Sequence, residues 1–167
     1  MSHQPESLIN RGFKYSGKIV GPDGQVIEHE DFNLIPIVGK KHLAQLILGT
    51  GAMIGNWYAF LISGDFSPTA ATVAADIPAS EYTGYSETAR PKWNAVYDGD
   101  SSIDNLDSKI TFTVPADKRI YGAGLVSVPT KGANNGTLFS VTRFSSPKDI
   151  PAGSTYTLGI GVSLVSG

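Results

Sequence analysis

Residues 56–63 read Asn-Trp-Tyr-Ala-Phe-Leu-Ile-Ser, and this stretch decides the fold class. In an extended backbone Trp57, Ala59 and Leu61 point to one face, and the residues between them point to the other. Both faces are apolar, which is typical of a central strand covered on both sides. A buried helix is the alternative, but the short aromatic-rich run closed by Gly64-Asp65 favours a strand. We expect the other strands to assemble on this one.

Strand patterns flank this stretch on both sides. Gly21-Pro22-Asp23-Gly24 is a strong turn signal between the first two, and the charges of the second predict an edge strand. Gly122 and Gly124 predict a bulge or the close approach of another backbone. The last segment alternates apolar and small or polar residues without a break. Besides residues 56–63, the predicted strands are 13–19, 25–32, 110–114, 119–128, 137–144 and 155–165, with a short strand at 95–97.

One helix is predicted, from about residue 38 to residue 48. Leu43, Leu46 and Ile47 recur at helical spacing and predict its apolar face. Gly49 marks its end. A single helix of this length cannot organise the domain, so we expect it to plug the end or side of a β-structure.

The whole pattern predicts a mainly β chain of about seven or eight strands with turn signals every 8–12 residues. We interpret it as an antiparallel β-sandwich or jelly-roll-like domain with one short α-helix, spanning residues 13–167. Residues 1–12 are polar and are predicted to form a flexible N-terminal arm. The connection 65–85 is predicted to be a compact excursion, with one or two helical turns within 69–76.

Composition narrows the function classes. The chain has 167 residues, 19 glycines, 10 prolines, no cysteine and a net charge of −2. No disulfide is available, so stability must come from the core or from oligomerisation. The charge gives no reason to expect binding to nucleic acid or an anionic membrane, and no apolar run reaches the roughly 18 residues of a spanning helix. The start of the chain lacks a signal-peptide pattern, so we expect synthesis in a cytoplasm.

Carboxylates are concentrated in residues 98–107. Asp98, Asp100 and Asp104 offer the hard oxygen ligands that Ca²⁺ prefers, but their spacing is not that of a calcium-binding loop. Asp and Asn also shape turns, so we interpret the segment as a solvated loop. The three histidines have no metal-ligand spacing. We predict no metal site and no cofactor.

Catalytic signatures are lacking in the sequence. It contains no nucleophile elbow, P-loop or dinucleotide fingerprint. A glycoside hydrolase needs two facing carboxylates roughly 5–9 Å apart, and Glu81, Glu87, Asp98 and Asp100 are the available acids. The tryptophans and tyrosines suit a sugar platform, but such residues are more often core or interface aromatics. We predict that the protein is not an enzyme.

Several short sequence blocks follow one another along the chain. The most specific are the block Tyr-x-Glu-x-x-Arg-Pro-x-Trp at 85–93 and the block Gly-Thr-Leu-Phe-Ser at 136–140. The other blocks are Asn33-Leu34-Ile35-Pro36, Trp57-Tyr58, Ile110-Thr111-Phe112, Arg119-Ile120, Lys131-Gly132 and Phe144-x-Ser146-Pro147. In this order the blocks resemble a group of small structural proteins of tailed bacteriophage particles. The resemblance covers about residues 13–166, nearly the whole chain.

This resemblance implies a virion structural protein, assembled in the host cytoplasm and located on the particle. A capsid decoration (cement) protein on the outer head surface is favoured, with the major capsid protein or other virion proteins as partners. Oligomerisation is expected, with a trimer favoured. The alternative is a tail-tip, baseplate or head-fibre component that binds host surface glycan.

Five residues are predicted to form the interface. Phe13 and Tyr15 follow the arm, which is able to add a strand to a neighbour. Arg90, Lys92 and Trp93 combine residue types that are enriched at binding hot spots. An internal salt bridge from Arg90 to Glu81 or Glu87, and a core position for Trp93, are the alternatives.

Overall fold

Two packed antiparallel sheets and one helix make up the part of the chain that the computed structural model describes, residues 12–163. The prediction of a mainly β, sandwich-like fold with one helix is confirmed. The predicted arm lies outside the described residues, except for Gly12. The strands are β1 (Lys14–Val20), β2 (Val26–Phe32), β3 (Tyr58–Ile62), β4 (Glu81–Tyr82), β5 (Val96–Tyr97), β6 (Ser102–Asp104), β7 (Ile110–Val114), β8 (Lys118–Val126), β9 (Leu138–Ile150) and β10 (Ser154–Ser163); the helix is α1 (Ile37–Ile47).

The larger sheet is organised around β10, because β10 pairs with three strands. The order is β2-β1-β10-β6-β5, and β7 pairs with the first half of β10 on the side where β6 pairs with its end. The predicted hairpin of β1 and β2 is confirmed, with Gly24 at a φ of 83° in its turn. Strand β2 is an edge strand, as its charges predict. The expectation that the strands assemble on residues 56–63 is wrong for this sheet.

The smaller sheet has the order β4-β3-β8-β9, so β3 is an inner strand there. Ala59 and Leu61 face the main core between the sheets, while Phe60 and Ile62 face a second cluster. That second cluster is covered by residues of the 65–85 connection, including Ala74 and Ile77. The predictions of a strand covered on both sides, and of a compact excursion, are confirmed; the excursion contains a 3₁₀ turn, Ala74–Asp76.

Glycines in β8 let the smaller sheet pack closely. A Cβ atom at Gly124 would collide with the Phe60 ring and the Ser140 carbonyl, and one at Gly122 would collide with the Thr142 carbonyl. The β8–β9 register also shifts between Ile120 and Gly122. Both the predicted bulge and the predicted close approach are present.

Strand β9 is longer than predicted. The predicted strand ends at residue 144, but β9 continues to Ile150 because residues 144–147 form a bulge between two paired segments. Pro147 lies within this bulge, where no ladder hydrogen bond is required of it. The bulge contacts β2, since the Ser145 N–H donates to Asp31 Oδ1 at 2.6 Å. It therefore helps to close one side of the sandwich.

The side chain of Asn105 completes the hydrogen bonding of β10 between its two partners β7 and β6. Its Nδ2 donates to the Leu158 carbonyl at 3.2 Å, and its Oδ1 accepts from the Ile160 N–H at 2.7 Å. Buried backbone groups need partners, so this asparagine substitutes for a missing strand residue. The predicted loop 98–108 is corrected here, because it contains β6 and is attached to β10 through Asn105.

Helix α1 is present within one residue of the predicted bounds, but it presents a different face to the protein. Gly39 and His42 are its buried residues. Gly39 allows the helix to approach the carbonyls of Leu138 and Phe139 closely, where a side chain would not fit. The predicted apolar face is corrected in part: Leu43 packs on the core, whereas Leu46 and Ile47 are exposed.

Candidate functional site

An interior ion pair joins Glu81, the first residue of β4, to Arg90 in the loop that follows β4. Arg90, which is 2% exposed, donates from Nε and Nη2 to the two carboxylate oxygens of Glu81 at 2.8 and 2.7 Å. Its guanidinium also donates to the carbonyls of Val128 and Ala133, and the Gly132 N–H donates to Glu81 Oε2. We call Glu81, Arg90 and these three backbone partners the arginine junction. A buried charge of this kind is stable only when it is paired and hydrogen-bonded, and here both charges are.

Arg90 is therefore not available to a partner, and its interface prediction is corrected. The alternative of an internal salt bridge to Glu81 is what the structure contains. The other predicted acid, Glu87, instead accepts hydrogen bonds from the N–H and hydroxyl of Thr113. An arginine beside an aromatic residue has the same sequence signature whether it binds a partner or closes its own fold.

Residues 91–93 run beside β3 as an irregular partner strand. The Ala59 N–H donates to the Pro91 carbonyl, and the Trp93 N–H donates to the Trp57 carbonyl, both at 2.8 Å. The Trp93 side chain is buried, and its indole N–H donates to the Ile160 carbonyl of β10 at 3.1 Å. The interface prediction for Trp93 is corrected to a core position that connects the two sheets. Lys92 is exposed between these residues.

Phe13 and Tyr15 also lie in the interior. The Phe13 ring makes edge contacts with Trp93 and Phe139. The Tyr15 hydroxyl lies 2.6 Å from Ser140 Oγ across the core, and burial raises the pKa of this tyrosine. Their interface prediction is corrected, because their alternation with exposed residues places them on the inner face of β1. Any contact made by the start of the chain would have to use residues before Phe13.

The acidic segment uses its carboxylates to shape the backbone. Asp98 Oδ1 accepts from the N–H groups of Asp100, Ser101 and Ser102, and these bonds lower the pKa of Asp98. Asp104 accepts from the Leu106 N–H and the Ser102 hydroxyl. These bonds support the turn-shaping role expected of the Asp side chains, although the segment also contains β6. Across residues 12–163, no three His, Asp or Glu side chains are grouped closely enough to hold a metal ion.

The two tryptophans do not form an exposed sugar platform. Trp93 is buried, and Trp57 is half-buried between His42 and Phe139. No helix in the described part of the chain has the length and hydropathy needed to cross a membrane.

A buried histidine, His29, lies where β2 meets the bulge of β9, in contact with an acid and two aromatic residues. The His29 side chain is 5% exposed, and its Nδ1 lies 2.8 Å from Asp31 Oδ2. Its Nε2 lies 3.0 Å from the Tyr156 hydroxyl, and its ring contacts Phe144. Burial lowers the pKa of His29, although the hydrogen bond and charge of Asp31 oppose that shift. The neutral imidazole suits this geometry, because it donates to the carboxylate and accepts from the tyrosine.

A polar groove of about 710 Å³ crosses the outer face of the larger sheet. Ion pairs from Lys14 to Glu30 (2.8 Å) and from Lys18 to Glu28 (3.9 Å) line one side. Gly161 lies on the floor, where it pairs with Asp104 of β6. The residues that line this polar groove include His29 but no Trp, Tyr or Phe. Its charges are largely balanced within the chain.

Apolar side chains are exposed at the end of α1 and in the segment that follows it. Leu46, Ile47, Leu48 and Met53 are 41, 85, 73 and 85% exposed, and we call them the apolar surface. Large exposed apolar patches are typical of interaction sites, whereas single exposed apolar residues are ordinary. A sequence signal exists, because no charged residue or histidine occurs between Leu43 and Gly64. The signal is ambiguous in the sequence, because a charge-free run also fits a core helix followed by a buried strand.

The helix ends in a motif that holds this surface in place. Gly49 has a φ of 67°, and its N–H donates to the Leu46 carbonyl while the Thr50 N–H donates to the Gln45 carbonyl. This is the Schellman pattern, which closes a helix through a left-handed glycine. The apolar surface is thus carried on a defined turn of backbone.

Comparison with known proteins gives no assignment: no family model, curated protein or solved structure matches this chain.

Proposed function

We propose that this chain is a structural protein of a bacteriophage virion, and specifically a decoration protein that binds the outer surface of the head. The resemblance of its sequence blocks to small phage structural proteins supports the proposal. A decoration protein acts by contact, so it needs a stable domain and an unpartnered surface. No reaction has to be assigned to it.

The observation that carries the proposal is the apolar surface, which is one part of the exposed apolar area of a domain that also exposes Phe32 and Ile37. Three of its side chains are more than two-thirds exposed, whereas core side chains such as Leu61, Leu125 and Leu158 are fully buried. Three of the four acids considered for catalysis, Glu81, Glu87 and Asp98, are engaged by Arg90, Thr113 and backbone N–H groups. A catalytic function therefore has little support, and binding to a partner is supported by the apolar surface.

The arm and exposed loops supply the contacts with the particle in this proposal. Many copies on a symmetric shell need only modest contacts per copy, because the contacts are multiplied by symmetry and avidity. Lys92, the one exposed member of the predicted interface, remains a candidate for such a contact. The major capsid protein or another virion protein is the proposed partner.

Binding to particles tests the proposal. Purified protein is mixed with particles that assembled without it, and bound protein is measured by co-sedimentation over a range of ionic strength. We expect saturable binding that is lost on deletion of residues 1–11 while the circular dichroism melt is unchanged. Failure of the full chain to bind at any salt concentration would contradict the proposal.

A tail or head-fibre component that binds glycan is the second candidate, and the polar groove is the observation in its favour. The groove offers Ser16, Ser102 and Ser163 together with Lys109 as hydrogen-bonding groups. A glycan array tests it, with Lys109→Ala as the groove variant. Binding that this variant abolishes would favour the second candidate, and an array without hits would remove it.

A further inference from the structure

We propose that Asn135 is a site of self-modification, at which the side-chain amide is converted to a carboxylate without an enzyme. Asn135 and Gly136 lie in the loop between β8 and β9, and both are exposed. An exposed asparagine precedes a glycine here, in a stretch of backbone that the fold holds only at its two ends. The inference does not depend on the proposed function.

The reaction needs only the chain and water. The backbone nitrogen of Gly136 gives up its proton to solvent and attacks the side-chain carbonyl carbon of Asn135. A C–N bond forms, a five-membered succinimide closes, and the side-chain nitrogen takes up a proton and leaves as ammonia. Water then adds to one of the two ring carbonyls and breaks its bond to nitrogen. Position 135 becomes aspartate or isoaspartate, and the loop gains a negative charge.

The local fold requires the residue that makes this attack easy. Glycine has no side chain beside the reacting nitrogen, so it obstructs ring closure least. Gly136 has a φ of 97°, a left-handed conformation that strains an L side chain. A Cβ atom at this position would lie 2.6 Å from Val128 Cγ2 and 2.8 Å from Ser127 Oγ. The turn into β9 therefore keeps a glycine directly after Asn135.

The backbone around the pair has the freedom that ring closure needs. In the described part of the chain, the N–H groups of residues 134–136 donate to no backbone carbonyl. The stretch is held on either side, because Arg90 Nη2 donates to the Ala133 carbonyl at 3.1 Å and the Thr137 N–H donates to Ser127 Oγ at 2.8 Å. Local movement at residues 134–136 thus breaks none of the bonds that fix the loop.

Asn105 has the opposite arrangement. It is 2% exposed, and its side-chain amide is bonded to β10 through both its nitrogen and its oxygen. The nitrogen that would have to attack belongs to Leu106, whose N–H donates to Asp104 Oδ1 at 3.0 Å. Leu106 also carries a side chain beside that nitrogen. We expect Asn105 to persist under conditions in which Asn135 reacts.

The modification changes a loop that serves the arginine junction. It adds one negative charge to a chain whose net charge is already −2. The loop groups that bind Arg90 and Glu81, the Ala133 carbonyl and the Gly132 N–H, both precede the reacting pair. We therefore expect the junction to persist in the aspartate product, and Asn135→Asp to melt like the wild type.

Peptide mapping by mass spectrometry tests the inference on the full folded chain, after incubation for several days at physiological temperature. Trypsin cleaves after Lys131 and Arg143, so Asn134 and Asn135 fall in one peptide, residues 132–143. We expect a mass gain of about 1 Da at position 135, divided between an aspartate and an isoaspartate form. The gain should be faster in alkaline than in mildly acidic buffer, because the attacking nitrogen must lose its proton.

The same peptide contains the matched control. Asn134 is also exposed, but the residue after it has a side chain, so it should stay unmodified while position 135 reacts. Asn135→Gln should leave the whole peptide unmodified, because its ring would have six members and closes far more slowly. A parallel incubation in urea measures the unfolded chain. The folded rate should lie within about tenfold of the unfolded rate, since a loop that is already free needs almost no opening free energy.

Three results would overturn the inference. They are an unchanged mass at position 135, an equal gain at Asn134, and a folded rate more than about tenfold below the unfolded rate. The last would mean that the fold protects the pair. These measurements contain no particle, so their failure leaves the particle-binding test of the proposed function standing, and the converse also holds.

Discussion

Charged residues usually lie on the surface of a protein and apolar residues in its interior. The arginine junction and the apolar surface both depart from this distribution. In the first, two charged side chains lie inside, and every polar group named there has a partner. In the second, four apolar side chains lie outside, and the described residues do not cover them. Charges inside are explained by the fold alone, because they fasten one loop to another. Apolar residues outside are not explained by the fold, so they direct attention to a partner.

The comparison makes a clear separation between stability and association. Changes in the arginine junction should lower the free energy of unfolding. They should affect association only indirectly, through the loss of folded protein. Changes in the apolar surface should affect association and leave the fold unaltered. The predictions below test this separation, starting from the largest expected effect.

Removing the buried arginine should have the largest effect. Arg90→Ala leaves the Glu81 carboxylate buried without its partner, so we expect a loss of about 3–5 kcal/mol in the free energy of unfolding. Urea denaturation measures it. Arg119→Ala is the control, because Arg119 pairs with Asp149 on the surface and the change in stability should be far smaller. Equal losses in the two variants would contradict the role given to the arginine junction.

Changing the glycine that ends α1 should have an intermediate effect. Gly49→Ala places an L side chain in the left-handed region, where the cost is about 1–2 kcal/mol, although the surrounding space is open. Gly55→Ala is the matched control, since Gly55 also has open space but no positive φ. Thermal melts should show a lower midpoint for the first variant only. A similar midpoint for both would argue against the Schellman end of the helix.

Acidification should destabilise the protein through His29. Its pKa is lowered in the folded state by burial, so the unfolded chain binds the proton more readily, and stability falls as the pH drops below about 6.5, the ordinary value. Asp31, Lys148 and Tyr156 are the groups that face it. His29→Gln should lose less stability than the wild type between pH 7.5 and 5.5. An NMR titration in which His29 titrates above 6.5 would reverse the predicted sign.

Substitution within the apolar surface should have the smallest effect on the fold. Leu48→Ser removes an exposed side chain, so we expect the free energy of unfolding to change by no more than about 0.5 kcal/mol. Leu61→Ala at a fully buried position should cost about 2–5 kcal/mol in the same urea experiment. A large loss in Leu48→Ser would mean that this residue belongs to the core.

Periodicity was sufficient to predict the long elements. The alternation in β1 and β10, the turn at residues 21–24 and the two apolar faces of β3 all follow from local patterns that the structure retains. The short strand predicted at 95–97 is present as β5, but β4 and β6 have two or three residues, which is too short to show a period. The length of β9 depends on a bulge opposite β8, and pairing of that kind is not encoded locally.

The site was harder to predict because its residue types are ambiguous. Arg90 and Trp93 are typical of hot spots, but the same groups also suit a buried position where carbonyls and a carboxylate are within reach. Helical spacing correctly predicts α1, but of its three predicted apolar-face residues only Leu43 packs on the core. Gly39 is what decides the packing side, because only a residue without a side chain fits against β9 there. That requirement depends on the neighbouring strand and is not visible in the helix.

Electron cryomicroscopy of particles decorated with the purified protein tests the central claim most directly. The account predicts density for this domain on the outer surface of the head, with the apolar surface in contact with a virion protein. Density confined to the tail, or no added density on particles saturated with the protein, would contradict it.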